Sequence, residues 1–309
     1  MSRPVICIGA SFVDELFHLT EELIPATTNK ATVTKTAGGV SRNIAHQLAL
    51  LDVPVQLISV FGNDSDGDWL KGVCTNAGIK LDASITANGL SGKYTGILTP
   101  DGSLFAAFLS NPAEHLITPQ HLAQHKDLLS TASWLLADTN ITLETISWLI
   151  AFSNQTGIPL VIEPVSVPPA KKLKYIDING LYLITPNEDE LPALCSEDAC
   201  TTEKQIQELL SKGVQHIWLH NGKNGSAFYS KENCIQLHAS IVDVVDSTGA
   251  GDGSLSGYIL GKMLGKEDMD CLKLAHTLAA EILQINGAVA THLNQQRLLS
   301  LLSKHYPVK

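Results

Sequence analysis

Three short runs bring together residue types that can do chemistry. The first is Thr248-Gly249-Ala250-Gly251-Asp252. Residues 241–245 are apolar and β-branched apart from Asp243 and predict a strand leading into it, and Leu255, Ile259 and Met263 recur on one face of a predicted helix beyond it. Small residues at a helix start let backbone N–H groups approach an anion closely, and the helix dipole favours negative charge there. Asp252 sits in that same turn, where a carboxylate is costly beside an anion unless it has a task. Taking the proton of a hydroxyl that attacks phosphorus is such a task. The plainer reading is a tight turn with Asp252 as an ordinary first-turn acid.

The second run is Gly38-Gly39-Val40-Ser41-Arg42-Asn43. Paired glycines before a helix permit close backbone approach to a ligand, and Asn43 offers a donor and an acceptor in the first turn. The third is Pro186-Asn187-Glu188-Asp189-Glu190. A helix here would put Asn187 and Glu190 on one face, suited to ordering the waters of a hydrated Mg²⁺. An acidic helix start answering the dipole explains the same residues. Other motifs fail. Residues 63–68 suggest a calcium loop, but the glycine is misplaced and position 75 is Thr. Gly222-Lys223-Asn224-Gly225 lacks the spacing of a Walker A loop. His216 and His220 flank a strand-like run, which argues against a metal pair.

These runs need a scaffold. Apolar runs at 5–8, 55–60, 134–137, 160–162, 181–184 and 216–219 alternate with helical patterns such as 43–51 and 143–152. Continuous apolar strands alternating with helices predict a parallel sheet covered on both faces. Residues 12–37 and 92–109 break this rhythm, and the latter reads as a hairpin around Pro100-Asp101-Gly102. Both predict a small antiparallel sheet standing off the main one. At 309 residues with 44% hydrophobic and 17% charged side chains, the chain has a sizeable core and is not disordered. A net charge of -10 argues against nucleic acid or an anionic membrane as partner. No apolar run approaches a membrane span, and the first nine residues read as a buried strand rather than a signal peptide. Six scattered cysteines predict buried, reduced thiols in a cytoplasmic protein.

Taken together and in this order, the runs resemble the PfkB (ribokinase-like) carbohydrate and nucleoside kinases. Val5-Ile6-Cys7-Ile8-Gly9 to Asp14 resembles the family's first strand and substrate Asp. Gly38 to Asn43 resembles its N-terminal signature. Val60-Phe61-Gly62-Asn63-Asp64, Asn187 to Glu190 and Asp246 to Asp252 resemble three further stations. The resemblance implies a three-layer α/β/α domain with a mostly parallel sheet (residues 1–11, 38–91 and 110–309) and a β-lid (12–37 and 92–109) over the substrate. It implies that Asp252 is the base and that Gly249, Ala250 and Gly251 form the anion hole. Asp14, Gly39, Asn43 and Asn140 would hold the sugar, and Asn187 and Glu190 would organise Mg²⁺ and ATP. Gly222, Gly225, His276 and Asn286 would line the nucleotide site. Asp246 and Thr248 would contribute to a K⁺ site. The implied partners are a small sugar or nucleoside and a second copy of the chain meeting through the lid. Gly-Gly-Val-Ser-Arg-Asn, Ala137-Asp138-Thr139-Asn140 and Val161-Ile162-Glu163-Pro164 resemble pseudouridine kinases most, although Glu163 stands where those enzymes have Asp. Ribose or another nucleoside is the alternative acceptor, and a silent nucleoside sensor is the alternative outside catalysis.

Overall fold

The computed structural model describes residues 3–111 and 114–306. Its large sheet has eight strands, in the order Cys234–Leu237, Ser226–Tyr229, His216–His220, Leu183–Ile184, Leu160–Glu163, Trp134–Asp138, Val5–Ile8 and Val55–Ile58. All neighbours pair parallel except at Ser226–Tyr229, which is antiparallel to both of its partners. Burial on both faces explains the continuous apolar runs. Ile6, Ile8, Leu135, Ala137, Leu160 and Ile162 face one layer, with Ile146 and Leu149 of helix Leu143–Thr156. Val5, Cys7, Leu136 and Val161 face the other, with Ile44 and Leu48 of helix Val40–Leu50 and Leu255 and Ile259 of helix Ala250–Met263. The expected three-layer α/β/α architecture is what the chain forms.

A second sheet has four strands, in the order Ala31–Gly38, Phe12–Leu19, Lys93–Leu98 and Leu104–Ser110. Its two outer pairings are antiparallel, as expected, but its central pair, Phe12–Leu19 with Lys93–Leu98, is parallel. Local alternation signals each hairpin; it carries no information about how two hairpins distant in sequence join. Charged groups tie this sheet to helix Ser65–Asn76: Lys93 bridges Glu15 (2.8 Å) and Asp66 (3.5 Å), and Lys35 bridges Asp66 at 2.5 Å. Asp64 caps that helix through Gly67 N–H and also accepts from Ser91 N–H and Oγ at 2.9 and 2.7 Å, just before the Lys93 strand.

Three local expectations differ from the structure. Residues 241–245 form no strand, and Ile241 is fully exposed at 103%; Val245 N–H bonds the Leu283 carbonyl instead of a ladder partner. Asn187 to Glu190 forms a turn rather than the start of a helix. Of the cysteines, Cys7, Cys74, Cys195 and Cys271 are buried, but Cys200 and Cys234 are exposed; all six are free thiols. Among the described residues no helix is long and apolar enough to cross a membrane.

Candidate active site

The carboxyl ends of the parallel strands supply most of the site. Binding crevices in open α/β sheets lie at these ends, where successive connections leave in opposite directions. Gly9 follows the Val5–Ile8 strand with φ of 154°, and a Cβ there would lie 2.4 Å from both the Asp138 carboxyl and Ser41 Oγ. Asp138 ends the next strand and is fully buried. It accepts hydrogen bonds from the N–H groups of Ala10 (3.1 Å), Ser41 (3.0 Å) and Asn140 (3.0 Å). One carboxyl thereby fixes the turn after the first strand, the start of helix Val40–Leu50 and the loop that carries Asn140. Asn140 is itself buried, and its carbonyl accepts from Asn111 Nδ2 at 3.1 Å.

The double glycine is required by its surroundings. Gly39 has φ of 94°, and a Cβ would stand 2.3 Å from the Ala10 carbonyl oxygen. A Cβ on Gly38 would collide with the Asp14 carboxyl, which therefore lies directly over the turn. Asp14 is pushed up to about 6 by burial, with the Arg42 guanidinium pulling the other way.

Helix Ala250–Met263 begins after Gly249, which is left-handed at φ 77°, and no side chain caps it. A Cβ on Gly249 would meet Ala288 Cα at 2.4 Å, whereas one on Gly251 would meet nothing within 4 Å. The turn is thus held on one side and open on the other. Asp252, 9% exposed, accepts a 2.7 Å hydrogen bond from Asn43 Nδ2 through Oδ2. Burial pushes its carboxyl up to about 7; Asp138 and Asp14 add to that, while Asn43 and Arg42 oppose it. The first and second runs, 209 positions apart, therefore meet at one carboxyl group.

Asn187 and Glu190 close on each other. Asn187 Oδ1 accepts from the N–H groups of Asp189 and Glu190, both at 2.9 Å, and Glu190 Oε2 accepts from Asn187 N–H at 3.0 Å. Glu163 ends its strand and bends back so that Oε2 accepts from Val165 N–H at 2.7 Å. Val165 takes φ of 68°, a left-handed conformation that is strained for a β-branched residue. Burial pushes the Glu163 carboxyl well up, and Asp252 and Glu190 reinforce the shift. Glu163 is thus electrostatically joined to both, a link that the strand-end position in the sequence hinted at without showing.

Asp246 accepts from Thr248 N–H (2.9 Å) and Gly287 N–H (3.0 Å), pinning the glycine turn to the loop that holds Asn286, itself exposed. Gly222 and Gly225 flank a short 3-10 turn, with φ of 51° and 96°. A Cβ on Gly225 would lie 2.0 Å from the Leu237 carbonyl oxygen, whereas Gly222 faces open space. His276 is buried behind this turn. Trp218 Nε1 donates to Ser226 Oγ at 2.8 Å, so the Ser226 hydroxyl donates to His276 Nε2 at 2.7 Å and His276 Nδ1–H donates to the His238 carbonyl at 3.2 Å. Both ring nitrogens are committed to the protein, which makes His276 a wall of this region rather than a free hydrogen-bonding group.

Among the described residues no three His, Cys, Asp or Glu side chains are grouped to hold a metal directly. Glu163 and Glu190 repel each other as carboxylates, and a cation held through its water shell, the habit of Mg²⁺, would relieve that repulsion. The residue that sequence reasoning passed over is Arg42, 2% exposed and in the midst of these groups. Its signal was its neighbour: a long cation beside Asn43 in a turn otherwise built of small residues.

The sequence profile of the pfkB family of carbohydrate kinases matches residues 3–295. An uncharacterized sugar kinase, YeiI, of Escherichia coli is 31% identical over 256 residues, covering 81% of this chain and 69% of that protein. The pseudouridine kinase of the same organism is 28% identical over 260 residues, covering 82% of each chain. The structure of Arabidopsis thaliana ribokinase complexed with ribose and ATP superposes with a TM-score of 0.84 at 22% identity, covering 98% of this chain and 99% of that one. The chain belongs to the pfkB family of carbohydrate kinases and has the ribokinase-like fold. Within that class it is a sugar kinase.

Proposed function

We propose that the protein transfers the γ-phosphoryl group of ATP to a sugar hydroxyl, and that the acceptor is the 5′-hydroxyl of pseudouridine. The observation that carries this reading is the meeting of Asp252 and Asn43 at the uncapped start of helix Ala250–Met263. A buried carboxyl near pH 7 is matched to general-base work, because it is ionised yet still basic at neutral pH. Asp252 takes the hydroxyl proton as the sugar oxygen bonds to phosphorus. The bond from phosphorus to its bridging oxygen breaks, and ADP leaves. The N–H groups of Gly249, Ala250 and Gly251 are assigned to the charge that grows on the transferring group, the Ala250 N–H exchanging its 3.3 Å bond to the Ser247 carbonyl for it. Asp14, Gly39, Asn43 and Asn140 hold the sugar.

Magnesium, when bound, neutralises phosphate charge; Asn187, Glu190 and Glu163 are the residues that would hold its waters. Gly222, Gly225 and Asn286 border the nucleotide, with His276 behind it. Asp246 and Thr248 are assigned to potassium, and replacing K⁺ by Na⁺ in the assay tests that assignment. The four-stranded sheet acts as the lid that closes over the sugar and excludes water, and the reaction is placed in the cytoplasm.

Pseudouridine is preferred as acceptor on the likeness of the Gly38–Asn43 and Asp138–Asn140 runs and on the 28% identical pseudouridine kinase. The ribose part cannot discriminate, because uridine and ribose share it. Pseudouridine carries an extra ring N–H; a buried group left unpaired by uridine costs ~1–3 kcal/mol, or roughly a 5- to 150-fold preference. Competition among pseudouridine, uridine and ribose at equal concentration, with products separated by chromatography against authentic standards, tests this. Pseudouridine 5′-phosphate should dominate; a ribose or uridine product in excess would replace this acceptor with that one.

A further inference from the structure

The chemistry proposed above leaves one buried charged group of the Gly38–Asn43 turn without a task. Arg42 forms no ion pair among the described residues. A guanidinium taken out of water without a direct counter-ion is expensive, and an apolar side chain would serve packing better. Its donors are instead distributed with geometric purpose. Nε donates to the Gly38 carbonyl at 3.0 Å and Nη2 to the Ala37 carbonyl at 2.6 Å. Nη1 donates to His46 Nδ1 at 3.1 Å. That imidazole is pushed down to about 4 by burial and by Arg42, so it is neutral and able to accept. Nη2 also donates to Asn43 Oδ1.

The last contact has a consequence for the base. A carboxamide has one accepting and one donating end. With Oδ1 taken by Arg42, the amide must turn Nδ2 toward Asp252, where it donates at 2.7 Å. Rotating the amide by half a turn would set oxygen against the carboxyl and nitrogen against the guanidinium, two repulsive contacts. We propose that Arg42 is a positioning residue: it locks the Asn43 amide with its N–H end on Asp252 and supplies the positive field that keeps this carboxyl in its base form. The inference rests on the kinase reading of Asp252.

The groups that act on Asp252 come from four elements besides its own. They are Asn43 and Arg42 on helix Val40–Leu50, Asp14 on strand Phe12–Leu19, Asp138 on strand Trp134–Asp138 and Glu163 on strand Leu160–Glu163; Asp252 itself opens helix Ala250–Met263. Arg42 is the single cation among them. Removing it therefore raises the Asp252 pKa, and the acid limb of activity moves to higher pH.

The test compares the wild type with Arg42→Gln and Arg42→Lys by two readouts. One is kcat/KM against pH with the best acceptor. The other is the titration of the ¹³C-labelled Asp252 carboxyl in the free chain, which needs no activity. For Arg42→Gln both curves should move up by roughly one pH unit, the lower end of the effect of a nearby opposite charge. For Arg42→Lys, which keeps the charge and loses the planar fork, the titration should stay near the wild-type position. Its kcat should fall about tenfold or more, because the amide is no longer locked, while KM for ATP holds. An unchanged titration in Arg42→Gln overturns the inference. If that variant does not fold, Arg42→Lys decides alone, and wild-type kcat there overturns it. A chain that phosphorylates no sugar, yet whose Asp252 titration moves with Arg42, refutes the kinase reading and leaves the positioning role standing.

Discussion

Asp252 is where competing electrostatic effects can be weighed. Burial and two neighbouring carboxylates push its proton affinity up, one amide and one guanidinium pull it down, and the outcome near 7 shows that burial wins. Catalysis needs the ionised form, so kcat/KM should rise with pH through an acid limb close to 7 and level off above it. A profile flat from pH 5.5 to 8 would remove Asp252 from the role of base. The same shift makes a stability statement. A folded-state value raised above the unfolded one favours folding at low pH, and that contribution is lost as pH rises from about 4 to about 7. Asp252→Asn, which cannot ionise, should therefore melt with the wild type near pH 4 and a few degrees above it at pH 8. Equal melting temperatures at pH 8 would show that the buried carboxylate carries no cost. Asp252 and Asn43 were legible in the sequence as candidate site residues because each sits beside glycines in a short run. Arg42 was not, since its partners are the carbonyls of residues 37 and 38 and an amide whose orientation only the folded turn defines.

The elements repeat this contrast between local and long-range information. The strands at 5–8, 134–138 and 160–163 were readable because burial on both faces demands unbroken apolar runs. Residues 241–245 are nearly as β-branched, interrupted only by Asp243, yet they run beside the end of helix Asp268–Ile282 with Ile241, Val244 and Val245 exposed. Asp243 in its middle is the one local sign that this segment is not a strand buried on both faces. Likewise the 92–109 hairpin and the antiparallel character of residues 12–37 were visible, and the parallel junction between the two segments was not. The glycine turn offers a sharp test at this scale. A Cβ at Gly39 would sit 2.3 Å from a backbone oxygen in a left-handed conformation, and neither can yield cheaply. Gly39→Ala should displace the Gly38–Asn43 turn and reduce kcat/KM by at least tenfold, whereas Gly72→Ala, which meets nothing within 4 Å in helix Ser65–Asn76, should be silent in the same assay. Equal activity of the two variants would mean that the turn has no part in the site.

At the scale of the whole molecule, the small sheet ends in an edge strand, Leu104–Ser110, whose Leu104, Phe105, Phe108 and Leu109 are all more than half exposed. Apolar side chains on both faces of an edge strand are an aggregation hazard unless something covers them. The proposed coverings are the sugar on one face and the lid of a second copy on the other. Light scattering should therefore give twice the 33.2 kDa chain mass, and Phe105→Glu with Phe108→Glu should return the mass of one chain. A wild-type chain that stays monomeric at micromolar concentration would refuse the second copy.

The central claim, phosphoryl transfer through Asp252, is tested most directly by following ADP release from ATP and Mg²⁺. The wild type and Asp252→Asn are compared with pseudouridine, uridine, ribose or no acceptor. The account predicts acceptor-dependent release by the wild type, led by pseudouridine. Asp252→Asn should lose about 10²–10⁴-fold in rate, the usual worth of a general base, while ATP binding by calorimetry is undiminished. Release independent of any acceptor, or near-normal turnover by Asp252→Asn, would contradict it.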